Sequence, residues 1–170
     1  MKINPIRGTH DLFGKEIEKF NRIILEVRDT AGKFGFSELN TPIFESSELF
    51  KKPLGEQSDV VLKEMYTFSD RNENEVTLRP EYTTPMIRAA IHNSLLNKLP
   101  GKFFGTGPMF RRERPQKGRY RQFEQFGVEA IGSNNPEQDA EIISMAYLFY
   151  ENLGLNNIEL KINSIGSKES

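Results

Sequence analysis

Between Phe110 and Gly132 the chain reads FRRERPQKGRYRQFEQFGVEAIG, two β-type runs joined by a basic loop. A strand turns alternate side chains to one face, so Arg111 and Glu113 are expected together, as are Phe123, Gln125, Gly127 and Glu129. If the runs pair antiparallel, a guanidinium, carboxylates, an amide and an aromatic ring share a surface too polar for an ordinary core. Arginine offers phosphate oxygens a planar, permanently charged fork and can stabilise charge that grows at a phosphorus. Phe123 could stack on a base and Glu113 could accept from an exocyclic amine. The bland alternative is a solvated basic hairpin whose cross-strand arginine–glutamate pairs are each worth little, and residue types alone leave it ahead.

The elements that must position this hairpin follow from periodicity. Residues 1–14, with Pro5, Gly8 and Gly14, read as an extended arm in which His10 is structural or solvated. From Lys15 to Lys33 apolar residues recur at helical steps, predicting an amphipathic helix ended by Gly32 and Gly35. An extended segment from Phe36 to Phe44 follows, and Pro42 puts it at an edge or a break. Residues 45–62 read as mixed, with Pro53 and Gly55 marking a loop, and the runs Met65–Phe68 and Val76–Leu78 form a hairpin. Arg79, Pro80 and Glu81 follow at the strand end. Thr83 or Thr84 is expected to cap the next helix, which buries Met86, Ile87, Ala90, Ile91 and Leu95, leaves His92 structural, and closes at Pro100 and Gly101. A strand from Phe103 to Arg112 enters the hairpin; its GTGP stretch lacks the spacing and lysine of a phosphate-cradling loop. Asn134 or Asn135 caps a last helix burying Ala140, Ile143, Ala146, Tyr147, Tyr150 and Leu153, and Ile158, Leu160 and Ile162 alternate as a final strand. Strands that outnumber the helices, with short hairpins between them, predict one α+β domain with a largely antiparallel sheet.

Composition narrows the function classes. With 23 basic and 24 acidic residues the net charge is -1, so contact with a polyanion must come from a local patch such as Arg111, Arg112, Arg114, Lys117, Arg119 and Arg121. Zero cysteines exclude disulfides, thiolate metal sites and cysteine nucleophiles, and two distant histidines make a histidine-rich metal site unexpected; no metal ligands are assigned. The first residues lack a signal-type apolar core and no run approaches membrane-spanning length, so a cytoplasmic location without membrane contact is expected.

The order F-R-x-E, basic loop, R-x-F resembles motif 2 of the class II aminoacyl-tRNA synthetases, and the whole stretch is similar to the histidyl-tRNA synthetase family. So are PIRGTHDLFG, KEMYTFSDRNENEVTLRPE and INSIGS, while GFSELNTPIFE with the preceding helix resembles motif 1. The resemblance implies a class II synthetase-like, largely antiparallel sheet flanked by helices, and a homodimer formed through residues 15–44. It implies that Arg111 contacts the α-phosphate of ATP, Glu113 the adenine amino group and Arg119 the outer phosphates, with adenine stacked on Phe123. Glu81, Thr83 and Gln125 would bind the α-amino end of L-histidine, and Glu129 its imidazole. ATP with Mg2+, histidine and tRNA(His) are the implied substrates, joined through a histidyl-adenylate.

Two residues depart from the family pattern. Tyr82 stands where glycine is usual, which would reshape the mouth of the amino-acid pocket. Glu124 stands where a histidine or aromatic residue is common, and alternation turns it away from Glu129. Nothing in residues 1–170 resembles motif 3, the histidine-specific segment or an anticodon-binding domain. The implied unit is therefore the N-terminal part of a catalytic domain, truncated, and expected not to aminoacylate alone. The alternative is a non-catalytic relative, the regulatory subunit of ATP phosphoribosyltransferase in histidine biosynthesis. A plain nucleotide- or RNA-binding module would show steep salt dependence and leaves Glu81 and Glu129 unexplained.

Overall fold

The computed structural model describes residues 3–54 and 64–163. Helix α1 occupies Lys15–Lys33, with Glu16 and Glu18 at its positive end and Lys33 at its negative end. Gly35, at φ +76°, turns the chain out of it, whereas Gly32 stays inside the last turn. Strand β1 (Ser37–Glu38) pairs parallel with β5 (Gly101–Phe110), which pairs antiparallel with β6 (Gln122–Ile131) over a ten-residue ladder. A second sheet joins β2 (Phe44–Ser46), β4 (Glu75–Leu78) and β3 (Tyr66–Ser69), antiparallel in the order β2-β4-β3. The chain changes sheets between Glu38 and Phe44, where Pro42 contributes no donor to a ladder. The fold is α+β with largely antiparallel sheets.

Alternation along β5 and β6 decides the layers. On one face Phe104, Phe126 and Val128 meet Val27, Ala31 and Phe36 from α1 and its exit, and Met145 and Phe149 from α4 (Pro136–Asn152). On the other, Phe103, Met109 and Phe123 meet Tyr82, Met86 and Ala90 of α3 (Thr83–His92) and its entry. Odd-numbered residues of β6 therefore face α3 and even-numbered ones face α1 and α4.

Several sequence expectations are corrected. Residues 47–54, part of the stretch read as mixed, form helix α2 (Ser47–Leu54), with Pro53 inside it rather than in a loop; its start is tied to β4 by a buried Ser47–Thr77 hydroxyl bond at 2.7 Å, and Gly55 lies outside the described residues. Neither threonine caps α3: the Glu81 carboxylate accepts from the Thr84 N–H at 3.0 Å. The helix ends at His92, well before Pro100, and its buried set is Thr84, Pro85, Met86, Ala89 and Ala90, leaving Ile91 63% exposed. In α4 the buried face carries Met145 and Phe149, with Ala140, Ala146, Tyr147 and Tyr150 exposed. That helix is apolar on more than one face, so its period could not select the one whose large side chains fit the sheet. Ile158, Leu160 and Ile162 alternate as a strand would but form none, since a strand also needs a partner edge.

Candidate functional site

The β5–β6 ladder runs from Gly101 opposite Ile131 to Phe110 opposite Gln122, and one further bond, Arg111 N–H to the Arg121 carbonyl at 2.9 Å, closes it. Arg111 and Glu113 thus lie just past the strand, in an irregular connection, rather than within it. The ladder ends there because the chain is pulled elsewhere: Arg112 N–H donates to the Glu64 carbonyl at 2.7 Å, and Arg121 N–H to the Gly8 carbonyl at 2.8 Å. The N-terminal arm therefore docks on the connection. Gly8, at φ +91°, adopts a backbone that favours glycine, and His10 packs against Tyr120 with ring centroids 4.8 Å apart.

Arg111, Glu113, Arg119 and Phe123 converge on one cavity of about 410 Å³, with Gly118, Tyr120 and Glu124 completing its wall. Arg111 Nε donates to the Pro80 carbonyl at 2.9 Å, which aims the head of the side chain from behind. The guanidinium lies over the Phe123 ring at 5.1 Å and its Nη1 stands 3.8 Å from Glu113. Arg119 Nη1 approaches the other Glu113 oxygen at 3.4 Å. One carboxylate between two arginines holds the forks near each other against their mutual repulsion, and neither fork is tied up in a deep pair.

Glu81, Thr83, Gln125 and Glu129 form a second group on the α3 side of β6. Burial pushes the Glu129 carboxyl upward; the nearby Thr83 hydroxyl opposes this, and Glu81 adds to the rise. Gln125 Oε1 is buried and has no hydrogen-bond partner among the described residues. A buried acceptor without a donor is costly, and a ligand carrying N–H groups would remove the cost. Phe123 and Glu129 are six residues apart on one strand, roughly 20 Å at most, so the two groups make one continuous floor.

Tyr82 is not at a pocket mouth. It is 1% exposed, beneath β5 and β6, where a Cβ on Gly105 would overlap its ring. Gly105 and Gly127 thus make room for Tyr82 at α3's entry, and Gly107, the second glycine of GTGP, for the Arg79 guanidinium, which explains a motif that spacing alone left idle. Glu124 alternates away from the odd-numbered residues of β6 and is exposed at the rim of the cavity that Phe123 floors. Reasoning from sequence missed the Pro80 carbonyl and Arg79, which ties the two sheets together; the one available signal was an arginine placed directly beside Pro80 and Glu81. Among the described residues no group of three histidine, cysteine, aspartate or glutamate side chains is placed to hold a metal ion, and no helix is long and apolar enough to cross a membrane.

The family model described as histidyl-tRNA synthetase matches residues 8–167. The chain is 54% identical over 162 residues to a histidine–tRNA ligase of Thermosipho africanus, covering 95% of this chain and 39% of that one. It is 48% identical to the enzyme of the same description from Hydrogenovibrio crunogenus, covering 98% and 39%. Among solved structures it is similar to apo S. aureus histidyl-tRNA synthetase, with TM-score 0.77 and 36% identity over 91% of this chain and 36% of that one. A Bacillus halodurans structure described as an ATP phosphoribosyltransferase regulatory subunit/histidyl-tRNA synthetase has TM-score 0.78 at 21% identity, covering 92% and 39%, a likeness of fold alone. The chain thus spans about two fifths of the length of the curated relatives it matches, 39% of the first.

Proposed function

Because the chain belongs to the histidyl-tRNA synthetase family, we propose that it supplies the ATP- and histidine-binding floor of a histidine–tRNA ligase. The observation that carries this reading is the convergence of Arg111, Glu113, Arg119 and Phe123 on one cavity, continuous along β6 with a desolvated polar group. The histidine carboxylate attacks the α-phosphorus of ATP; a new oxygen–phosphorus bond forms as the bond to the β-phosphate oxygen breaks, and pyrophosphate leaves. Arg111 donates from its Nη atoms to the α-phosphate oxygens as charge accumulates there, while Arg119 holds the outer phosphates. Adenine stacks on Phe123 with its amino group donating to Glu113, which requires the Arg111 guanidinium now over that ring to swing toward the phosphates. Magnesium would come with ATP on its phosphates and neutralise part of their charge.

Glu81, Thr83 and Gln125 take the ammonium end of histidine, and Glu129 takes an imidazole N–H. A floor that leaves buried acceptors unpaired rejects side chains unable to donate, which supplies selectivity without editing. A hydroxyl at the 3′ end of tRNA(His) then attacks the carbonyl of the adenylate; the ester forms as the bond to the phosphate oxygen breaks, and AMP leaves. A homodimer through residues 15–44 fits the exposed apolar side chains Leu25, Ile43 and Phe44. The test is ATP–pyrophosphate exchange, with each amino acid in turn, by a protein that carries these residues in a chain of the relatives' length. Exchange that depends on histidine alone is expected; exchange with another amino acid, or with none, would sink the reading. The regulatory alternative predicts no exchange and has less support, because the relatives near half identity are described as ligases.

A further inference from the structure

We propose that Arg79, which lies outside the cavity, is the positioning residue for Arg111: it locks the crossing between the two sheets so that Pro80 presents its carbonyl to the Arg111 Nε–H. Its importance for nucleotide binding rests on the function proposed above; its mechanical role does not.

The two sheets share no strand ladder among the described residues, so the segment that passes between them must be held by other bonds. Arg79 supplies them twice over. Its backbone N–H donates to the Ile43 carbonyl at 2.9 Å, beside β2, and its carbonyl accepts from the Phe110 N–H at 3.0 Å, at the end of β5. Its side chain repeats the connection: Nε donates to the Pro108 carbonyl at 3.0 Å, and Nη1 to the Thr41 carbonyl at 2.8 Å and hydroxyl at 3.1 Å. The next residue is Pro80, whose carbonyl receives Arg111 Nε. Fixing Arg79 therefore fixes the acceptor that aims the Arg111 fork.

Arg79 is 3% exposed, the acceptors of its side chain among the described residues are uncharged, and the guanidinium lies 4.6 Å from the Tyr82 ring centroid. Burying a cation is costly, and an apolar side chain of similar volume would pack at lower cost. What only arginine provides is a rigid fork reaching Pro108 and Thr41 together; lysine is a single point charge and cannot reproduce both bonds. Gly107 keeps the space open, since a Cβ there would overlap Nη2. A displacement of about 1 Å at a group that must meet a transition state can cost about 10²-fold in rate, so an anchor this far back still matters.

The test uses the 170-residue chain labelled in its arginine side chains, with the Arg111 Nε–H signal identified by its loss in Arg111→Lys. In Arg79→Lys, exchange of that proton with water is expected to accelerate about tenfold, as loss of one bond from a charged donor implies, while the Phe104 and Val128 amides keep their exchange rates. Unchanged Arg111 exchange in folded Arg79→Lys overturns the assignment, and so does acceleration shared equally with Phe104 and Val128, which would mean general loosening. Should Arg79→Lys not fold, Gly107→Ala displaces the guanidinium without removing it and is judged by the same outcomes. Titration with a fluorescent ATP analogue separates the two readings: a wild-type chain without affinity counts against the proposed function, while the exchange result alone decides the role of Arg79.

Discussion

The two ends of the β5–β6 floor solve opposite problems. At the loop end, Arg111, Glu113 and Arg119 are charged, partly solvated and paired with one another, Arg119 keeping 65% of its side chain exposed. At the strand end, Glu129 is desolvated and the Gln125 Oε1 is buried without a partner among the described residues. The loop end can exchange its internal pairs for phosphate at little cost, which suits a strongly charged ligand that brings its own solvent shell. The strand end is held at a cost that only a ligand with the right donors removes, which suits selection.

The comparison breaks most visibly at Arg111. Arg111→Met is expected to lower ATP–pyrophosphate exchange about 10²- to 10³-fold, as loss of a charge-stabilising donor does, with the fold intact by circular dichroism. A loss below tenfold would make the loop end a solvated hairpin after all. Next comes Glu129→Gln, expected to weaken histidine binding by calorimetry about tenfold to a hundredfold. The same variant sharpens the contrast through pH. A carboxyl raised by burial costs stability as pH climbs from the ordinary carboxylate range through its raised value, and the full cost is present above it. Glu129→Gln should therefore melt higher than the wild type near neutral pH, with the gap closing in acid; a gap that widens in acid would refute the desolvation account.

Smaller still, Gln125→Met removes an unsatisfied acceptor and should stabilise the ligand-free chain by about 1 kcal/mol in denaturant titrations, at the expense of histidine affinity. No gain would mean that Gln125 is satisfied in solution. The smallest effect belongs to the loop end. Glu113→Gln should shift stability by no more than about 0.5 kcal/mol, because partly solvated pairs at 3.4 and 3.8 Å contribute little, and a larger shift would show that the pairing there is structural.

Much of this was legible in residue order. The bounds of α1, the hairpin of β3 and β4, and the antiparallel partnership of β5 and β6 follow from apolar period and turn residues, which report local preference directly. The alternation Phe123, Gln125, Gly127, Glu129 likewise placed those side chains on one face before any coordinates. What failed depended on partners. The buried faces of α3 and α4 were misjudged because Ile91 and Tyr147 are as apolar as the residues chosen in their place, and only the shape of the sheet selects between them. Ile158 to Ile162 carry a strand's pattern without a strand, because pairing is a property of two segments.

By itself, then, the sequence determined which residue types meet along β6, since a strand's two-residue period needs no tertiary information. Only the tertiary structure decided how they are aimed. The carbonyl that orients Arg111 belongs to Pro80, thirty-one residues earlier, and the guanidinium that holds that crossing reaches Thr41, thirty-eight residues away. Such bonds join segments distant in the chain, and no local pattern records them.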